Sequence, residues 1–174
     1  MCSAFQVLGL PEKFDLTERQ IESAYMSRAS TTHPDLLDAT EDAELLSAVL
    51  NKARQCLLNP ESRAQELLRI LAPPETMSDT SLPEGFLMDI MDARMGMEMA
   101  LSSEDVDEIE RWRVWAQTQR TGYMEQVGGM FESLPSIGDA EIHKKAHEIK
   151  QTLNAWRYIE RMRNQLDEHM DITQ

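Results

Sequence analysis

The sequence predicts an all-α protein, with a helical hairpin and short flanking helices in its N-terminal part and a three-helix bundle in its C-terminal part. Apolar residues recur at helical spacing along most of the 174 residues. Valine and isoleucine are sparse, and apolar and polar residues never alternate over more than a few positions, as they would in strands. Prolines and short polar segments divide the helical stretches from one another.

The N-terminal part contains four predicted helices. Gly9 ends the first, and side-chain oxygens in Asp15–Thr17 cap the second. The second helix stops near Thr31, because His33 precedes Pro34 and a residue before proline avoids the helical conformation. The approximate ranges are Ser3–Leu8, Asp15–Thr31, Glu41–Leu58 and Glu61–Leu71.

A segment rich in Pro, Ser, Thr and Asp, residues 73–82, is predicted to be a linker. Three longer helices follow, and short connections between them favour an antiparallel bundle. Their approximate ranges are Pro83–Leu101, Ser103–Phe131 and Gly138–Met170. The predicted domains are therefore residues 1–72 and 83–174, joined by the linker.

The charge of the chain excludes some classes of partner. The net charge is −14, with 7 basic and 11 acidic residues in positions 1–72 and 10 and 20 in positions 73–174. A nucleic-acid partner is excluded, because phosphate binding needs a basic surface. The acidic second part suits a partner with a basic patch. No apolar run is long enough to span a membrane, and no secretory signal precedes the first helix.

The two cysteines, Cys2 and Cys56, lie far apart and offer no metal-binding spacing, so we expect no cofactor. A reducing cytoplasm fits this cysteine usage.

The most informative motif is His33-Pro34-Asp35, in a polar loop between two helices. Pro34 restricts the backbone, so its neighbours are presented with little conformational freedom to lose on binding. The tripeptide after a helix with Tyr25, together with the opening Phe5-Gln6-Val7-Leu8-Gly9-Leu10, resembles a J domain. The resemblance implies docking on a DnaK/HscA-type ATPase chaperone through His33, Pro34 and Asp35, aided by Arg28 and Arg19.

Further motifs are similar to the HscB (Jac-type) family of iron–sulfur cluster co-chaperones. They occur in family order, as Asn51-Lys52-Ala53, Leu57-Leu58-Asn59-Pro60, Arg63-Ala64-x-Glu66-Leu67-Leu68, Phe86-Leu87-Met88-Asp89 and Arg157–Arg163. The resemblance covers essentially the whole chain. It implies that the C-terminal bundle binds an iron–sulfur scaffold protein of the IscU type, which the J domain delivers to the chaperone while stimulating ATP hydrolysis.

The helix from Phe86 carries two opposed apolar stripes. At 100° per residue, one contains Phe86, Ile90, Ala93, Met97, Ala100 and Leu101, and the other contains Leu87, Met88, Met91, Met95 and Met99. The first stripe is the predicted core. The second is either covered by the protein's own helices or is a partner surface, a role for which flexible, polarizable methionine is suited.

The resemblance assigns scaffold binding to Leu87, Met88, Met91, Asp92 and Tyr158. On the last helix, Ile142, Ala146, Ile149, Leu153 and Trp156 share the predicted core face, while Tyr158, with Met162 nearby, points away from it as an exposed tyrosine. Met95 and Met99 stand where the family has glutamates. Both belong to the predicted surface, which is therefore more apolar than in the family.

The second helix departs from the basic docking face of J domains. It offers Arg19 and Arg28 against Glu18 and Glu22, Thr32 replaces a common aromatic, and Leu36 replaces a common lysine. Association with a chaperone depends on such charges. We therefore expect weaker or partner-specific stimulation.

Two other functions can be weighed. His143 and His147 are four residues apart and could supply half a metal site, but Lys144, Lys145 and Lys150 oppose a cation, which favours a solvated helix face. His33 and Asp35 are the only candidates for catalysis and lie at a loop tip, so an enzyme is disfavoured.

Two hypotheses stay open: the iron–sulfur co-chaperone, and a helical adaptor with a degenerate J domain that binds a client without stimulating an ATPase.

Overall fold

The computed structural model describes residues 2–31, 41–135 and 139–173, with side chains for all of these except residues 31, 41–43 and 170–173. The described chain consists of α-helices, one short 3-10 helix and their connections, without a strand. It divides into two compact units, Met1–Ala72 and Pro73–Gln174. The all-α fold class predicted from the sequence is confirmed.

The four helices of the first unit have ends set by local capping. They are α1 (Ala4–Leu8), α2 (Glu18–Thr31), α3 (Glu41–Leu58) and α4 (Pro60–Leu71). Ser3 Oγ accepts a hydrogen bond from Gln6 N at 3.2 Å, and Gly9 ends α1 at φ 71°, a left-handed conformation that glycine adopts without strain. Asn59 caps α4, and Pro60 occupies its first turn, where a missing amide hydrogen costs nothing.

Within the first unit, α2 and α3 form a hairpin held by polar and apolar contacts. Arg54 of α3 donates to both carboxylate oxygens of Glu22 of α2 at 2.6–3.0 Å. Tyr25 Oη donates to Asn51 Oδ1 at 2.9 Å, and the Arg54 guanidinium lies 5.2 Å from the Tyr25 ring centroid. The buried apolar side chains include Phe5, Leu8, Ile21, Leu50, Leu57, Leu67 and Leu68.

The second unit is a three-helix bundle preceded by the 3-10 helix Pro74–Ser78. Its helices are α5 (Phe86–Ser103), α6 (Val106–Glu132) and α7 (Ile142–Thr173). α6 runs antiparallel to α7, since Arg113 near the start of α6 pairs with Asp167 near the end of α7 at 3.0 Å. α5 approaches α6 closely at Gly96, where a β-carbon would lie 2.5 Å from the Trp112 ring.

The bundle core is built on α7. All five residues of its predicted core face (Ile142, Ala146, Ile149, Leu153 and Trp156) are buried, which confirms that prediction. Tyr123 of α6 stacks parallel on Trp156, with 6.3 Å between ring centroids. α5 contributes Ile90, Met97 and Ala100 to the core.

A charged side chain, Glu160 of α7, is also buried in the bundle. Its Oε1 accepts hydrogen bonds from Arg120 Nε and from Trp156 Nε1, both at 2.9 Å. Its Oε2 lies 3.3 Å from a terminal nitrogen of Arg163. Oε1 thus has two donors, whereas Oε2 accepts no hydrogen bond and is compensated by the positive charge of Arg163.

The segment predicted to be a linker, residues 73–82, is attached to α7. Asn154 Nδ2 donates to Asp79 O at 3.0 Å and to Ser81 O at 2.9 Å, and Gln151 Nε2 donates to Ser81 Oγ at 3.1 Å. His147 Nδ1 lies 2.6 Å from Asp79 Oδ2. This segment therefore precedes α5 as an ordered part of the second unit, although its composition is that of a linker.

Candidate partner-binding surfaces

One face of α5 is buried in the bundle, and the face on the other side of the helix is exposed. Ile90, Met97 and Ala100 face the bundle and are buried. On the other side, Leu87, Met88, Met91, Met95 and Met99 are exposed by 53, 73, 62, 60 and 67% respectively. We call these five residues the methionine face. They are not covered by the bundle, which removes the alternative that α5 is buried all round.

The methionine face is long and narrow. Met88, Met95 and Met99 project within about 40° of one another around the helix axis, and Leu87 and Met91 flank them on one side. At 1.5 Å per residue the face extends for roughly 18 Å along α5. Contiguous exposed apolar surface of this kind is typical of a binding site on a soluble domain.

Few charges border this face. Asp92, which the family resemblance assigns to the same surface, is exposed beside it. Glu98 lies on the opposite border and is paired with Arg94 of the same helix at 3.0 Å. An exposed pair of this kind contributes little to stability, but it cancels one negative charge next to the face. The surface is therefore apolar along its length, with the Asp92 carboxylate on one edge.

Tyr158, assigned to the same surface, is half-buried on α7. Its ring packs edge-on against Phe86 with 5.7 Å between centroids, and the Arg161 guanidinium lies 6.0 Å from it. Phe86 belongs to the stripe of α5 opposed to the methionine face, so this contact does not place Tyr158 on that face, and its assignment to the surface stays a prediction. Tyr158 is thus half-buried where an exposed tyrosine was expected, and Met162, expected nearby on the outer face, is buried in the bundle core with Ile159.

The tripeptide His33-Pro34-Asp35, the principal chaperone-binding prediction, lies outside the described residues. Arg19 and Arg28, the predicted cations of α2, are both exposed, and the Arg28 guanidinium packs against the backbone at Gly9.

One of the two acids opposing these cations on α2 is neutralised within the first unit. The hydrogen bonds from Arg54 lower the pKa of Glu22 below its ordinary value, so Glu22 is paired rather than free. The outward charge of α2 is thus less acidic than its sequence indicates. Met26, 63% exposed, adds an apolar side chain to the surface of this helix.

The histidine pair of α7 is directed at carboxylates of the 3-10 helix segment rather than toward each other. His143 Nδ1 lies 3.3 Å from Glu75 Oε1, and His147 contacts Asp79. Burial opposes ionisation of Asp79, but hydrogen bonds from Ser81 and the charges of His147 and Lys150 outweigh it and lower the Asp79 pKa.

Among the described residues, no group of three or more His, Cys, Asp or Glu is placed to hold a metal. In the same residues, no helix is both long and apolar enough to cross a membrane.

Comparison with known families accounts for both units. The DnaJ domain family matches residues 3–65, which makes the chain a J-domain protein. The family of the HSCB C-terminal oligomerisation domain matches residues 82–167. Since the two matches together span most of the sequence, the chain belongs to the HscB family of co-chaperones, and the predicted family is confirmed.

Individual relatives cover much of the chain at modest identity. The co-chaperone HscB homolog of Azoarcus sp. strain BH72 is 26% identical over 173 residues, which are 96% of this chain and 93% of the relative. The homolog from Burkholderia mallei strain SAVP1 is 29% identical over 145 residues, covering 80% and 83%. Co-chaperone protein HscB of Proteus mirabilis strain HI4320 is 33% identical over 116 residues, covering 61% and 60%.

Solved structures share the fold. Chaperone HscB from Vibrio cholerae aligns with a TM-score of 0.74 at 20% identity, covering 99% of this chain and 100% of the other. Human co-chaperone protein HscB aligns with a TM-score of 0.75 at 19% identity, covering 96% and 81%. The order of the helices and the division into a J domain and a C-terminal bundle are therefore those of known HscB proteins.

Proposed function

We propose that this protein binds an IscU-type iron–sulfur scaffold protein through its C-terminal bundle and delivers it to a DnaK/HscA-type chaperone. In this proposal residues 83–174 carry the scaffold site, and residues 1–72 stimulate the chaperone's ATP hydrolysis. The observation that supports it most is the exposed methionine face on a helix whose other face already supplies the bundle core. Membership of the HscB family agrees with both halves of the proposal. The protein would act in the cytoplasm.

The scaffold contact is proposed to be the methionine face with Asp92 and Tyr158. Burying a Leu or Met side chain contributes about 1.5–3 kcal/mol relative to leaving it exposed. Five such side chains together contribute about 7.5–15 kcal/mol, which offsets much of the association cost of about 4–15 kcal/mol and makes the face a main source of binding free energy. Asp92, at the edge, would orient a basic group of the scaffold, and the acidic second unit would accelerate its approach.

The chaperone contact is proposed to be His33-Pro34-Asp35 with Arg28 and Arg19. The restricted backbone around Pro34 means that little conformational freedom is lost on docking. Because both contacts belong to one chain, a scaffold bound to the bundle is held at a high effective concentration near the chaperone. The co-chaperone itself then needs no catalytic group.

The scaffold site is tested by placing charge on the methionine face. In the Met88→Glu/Met91→Glu double variant, the dissociation constant for the purified scaffold protein is expected to rise about 100-fold, because two buried carboxylates lack partners. Val114→Glu is the matched control, since Val114 is exposed on α6 of the same unit. Isothermal titration calorimetry measures both. Equal affinity of the double variant and the control would contradict the proposed site.

The second candidate function is a helical adaptor with a degenerate J domain, which binds the scaffold but stimulates no ATPase. The small number of basic residues on α2 favours the adaptor, since Arg19 and Arg28 are the only exposed cations of that helix. His33→Gln separates the two. The co-chaperone proposal expects loss of chaperone ATPase stimulation in single-turnover assays with scaffold binding unchanged, whereas the adaptor expects wild type and variant to be equally inactive in that assay.

A further inference from the structure

The chain contains 12 methionines, and the exposed ones are not spread evenly. Four of them, Met88, Met91, Met95 and Met99, occupy one face of α5 at 60–73% exposure. Met97 of the same helix is fully buried in the bundle. A single helix therefore holds four thioethers open to solvent and one protected from it.

An exposed thioether is open to two-electron oxidation. A peroxide transfers one oxygen to the sulfur: the O–O bond breaks, an S–O bond forms, and the other oxygen leaves as water or alcohol. The product, methionine sulfoxide, is polar and accepts hydrogen bonds, so it disrupts an apolar interface. Methionine sulfoxide reductases reverse the change, since two electrons from a dithiol remove the oxygen as water.

We propose that Met88, Met91, Met95 and Met99 are a reversible oxidation site that switches off scaffold binding when peroxide is present. The inference rests on the proposed function, because it assigns regulation to the same surface. A sulfoxide on this face would carry a polar oxygen among apolar side chains of α5, none of which can donate a hydrogen bond to it.

Placement on the surface lets the switch act without unfolding the protein. The bundle core is formed by other residues, and on α5 it uses Ile90, Met97 and Ala100. Oxidation of the exposed set leaves these packed. Reductase access also requires exposure, so the feature that makes the four thioethers reactive makes their repair possible. The free co-chaperone is the sensitive form, since a bound scaffold covers the face.

The experiment treats the full-length protein with hydrogen peroxide and follows each methionine by peptide mass spectrometry. Sulfoxide is expected to form first at the four exposed positions of α5 and at Met26, and last at Met97. Affinity for the purified scaffold protein is then measured before and after treatment. Treated wild type is expected to bind at least about tenfold more weakly. Incubation with methionine sulfoxide reductases and a dithiol should restore the affinity.

Leucine supplies a matched variant, because it conserves volume and cannot be oxidised. The variant Met88→Leu/Met91→Leu/Met95→Leu/Met99→Leu is expected to bind the scaffold and to keep its affinity through peroxide treatment. Met26→Leu, which removes an exposed methionine from α2, is expected to lose affinity on treatment as wild type does.

Three results would overturn the inference. One is unchanged binding by wild type that carries sulfoxide at all four positions. Another is an equal loss of affinity in the treated leucine variant, which would place the sensitivity elsewhere. The third is failure of untreated wild type to bind the scaffold, which would show the proposed function itself to be wrong.

Discussion

Apolar side chains of α5 lie in solvent, whereas a charged side chain of α7 lies inside the bundle. The four exposed methionines and buried Glu160 both depart from the usual partition of residue types. Glu160 is buried because Arg120, Trp156 and Arg163 surround its carboxylate. The methionines are exposed because no described part of the chain covers them. Partners rather than residue type therefore decide burial: a charged side chain that has internal partners is buried, and an apolar face that has none stays exposed.

The largest effect is expected at the buried charge. Glu160→Ala leaves the Arg120 guanidinium and the Trp156 indole N–H without their acceptor, so the free energy of unfolding should fall by about 3–5 kcal/mol. Urea denaturation of both proteins measures the difference. Glu110→Ala, which removes an exposed partner 3.6 Å from Arg113, is the control and should change stability by about 0–1 kcal/mol. Equal losses in the two variants would contradict the role given to burial.

The two faces of α5 should respond differently to the same truncation. Met97→Ala creates a cavity in the core and should lower the free energy of unfolding by about 2–5 kcal/mol. Met95→Ala removes the same atoms from an exposed position and should stay within about 0.5 kcal/mol of wild type. Thermal and urea unfolding compare them directly. A destabilisation of Met95→Ala as large as that of Met97→Ala would show that the methionine face is covered.

The contact between α5 and α6 predicts a smaller effect at a glycine. In Gly96→Ala the new β-carbon would lie 2.5 Å from the Trp112 ring, so the helices must separate. Overpacking of this kind costs about 1–3 kcal/mol. Gly122→Ala on α6 is the control: its β-carbon meets nothing within 4 Å, and replacing a helical glycine should raise stability. The two substitutions should thus shift the melting temperature in opposite directions.

The smallest effect concerns Asp79, whose charge is only partly shielded from solvent. Its pKa is lowered from an ordinary value of 3.8, so its ionised form favours the folded state. That contribution is present above pH 3.8 and is lost as the pH falls through the lowered pKa.

Asp79→Asn tests this pH dependence. The stability difference between Asp79→Asn and wild type should be larger at about pH 6 than at about pH 3, as measured by urea denaturation at both values. A difference independent of pH would contradict the assignment to ionisation.

Local chemistry made most helices predictable. Gly9, Asn59 and Pro60 set helix ends through backbone conformation and capping, which depend on neighbours in sequence. The periodicity of α7 likewise identified its core face. By contrast, residues 73–82 have the composition of a linker, but side chains of α7 more than 60 positions away hold them in place. Met162 was wrongly expected near Tyr158 on the outer face for the same reason, since contacts with other helices decide which of two residues one helical turn apart faces the core.

The sequence by itself determined the all-α class, most helix ends to within about four residues and the two opposed apolar stripes of α5, since all of these follow from interactions within a few residues. Only the tertiary structure decided which stripe is covered and that Glu160 could be buried, because both depend on which side chains of other helices come within contact distance. Burial is a property of packed neighbours, and the sequence near a residue does not specify them.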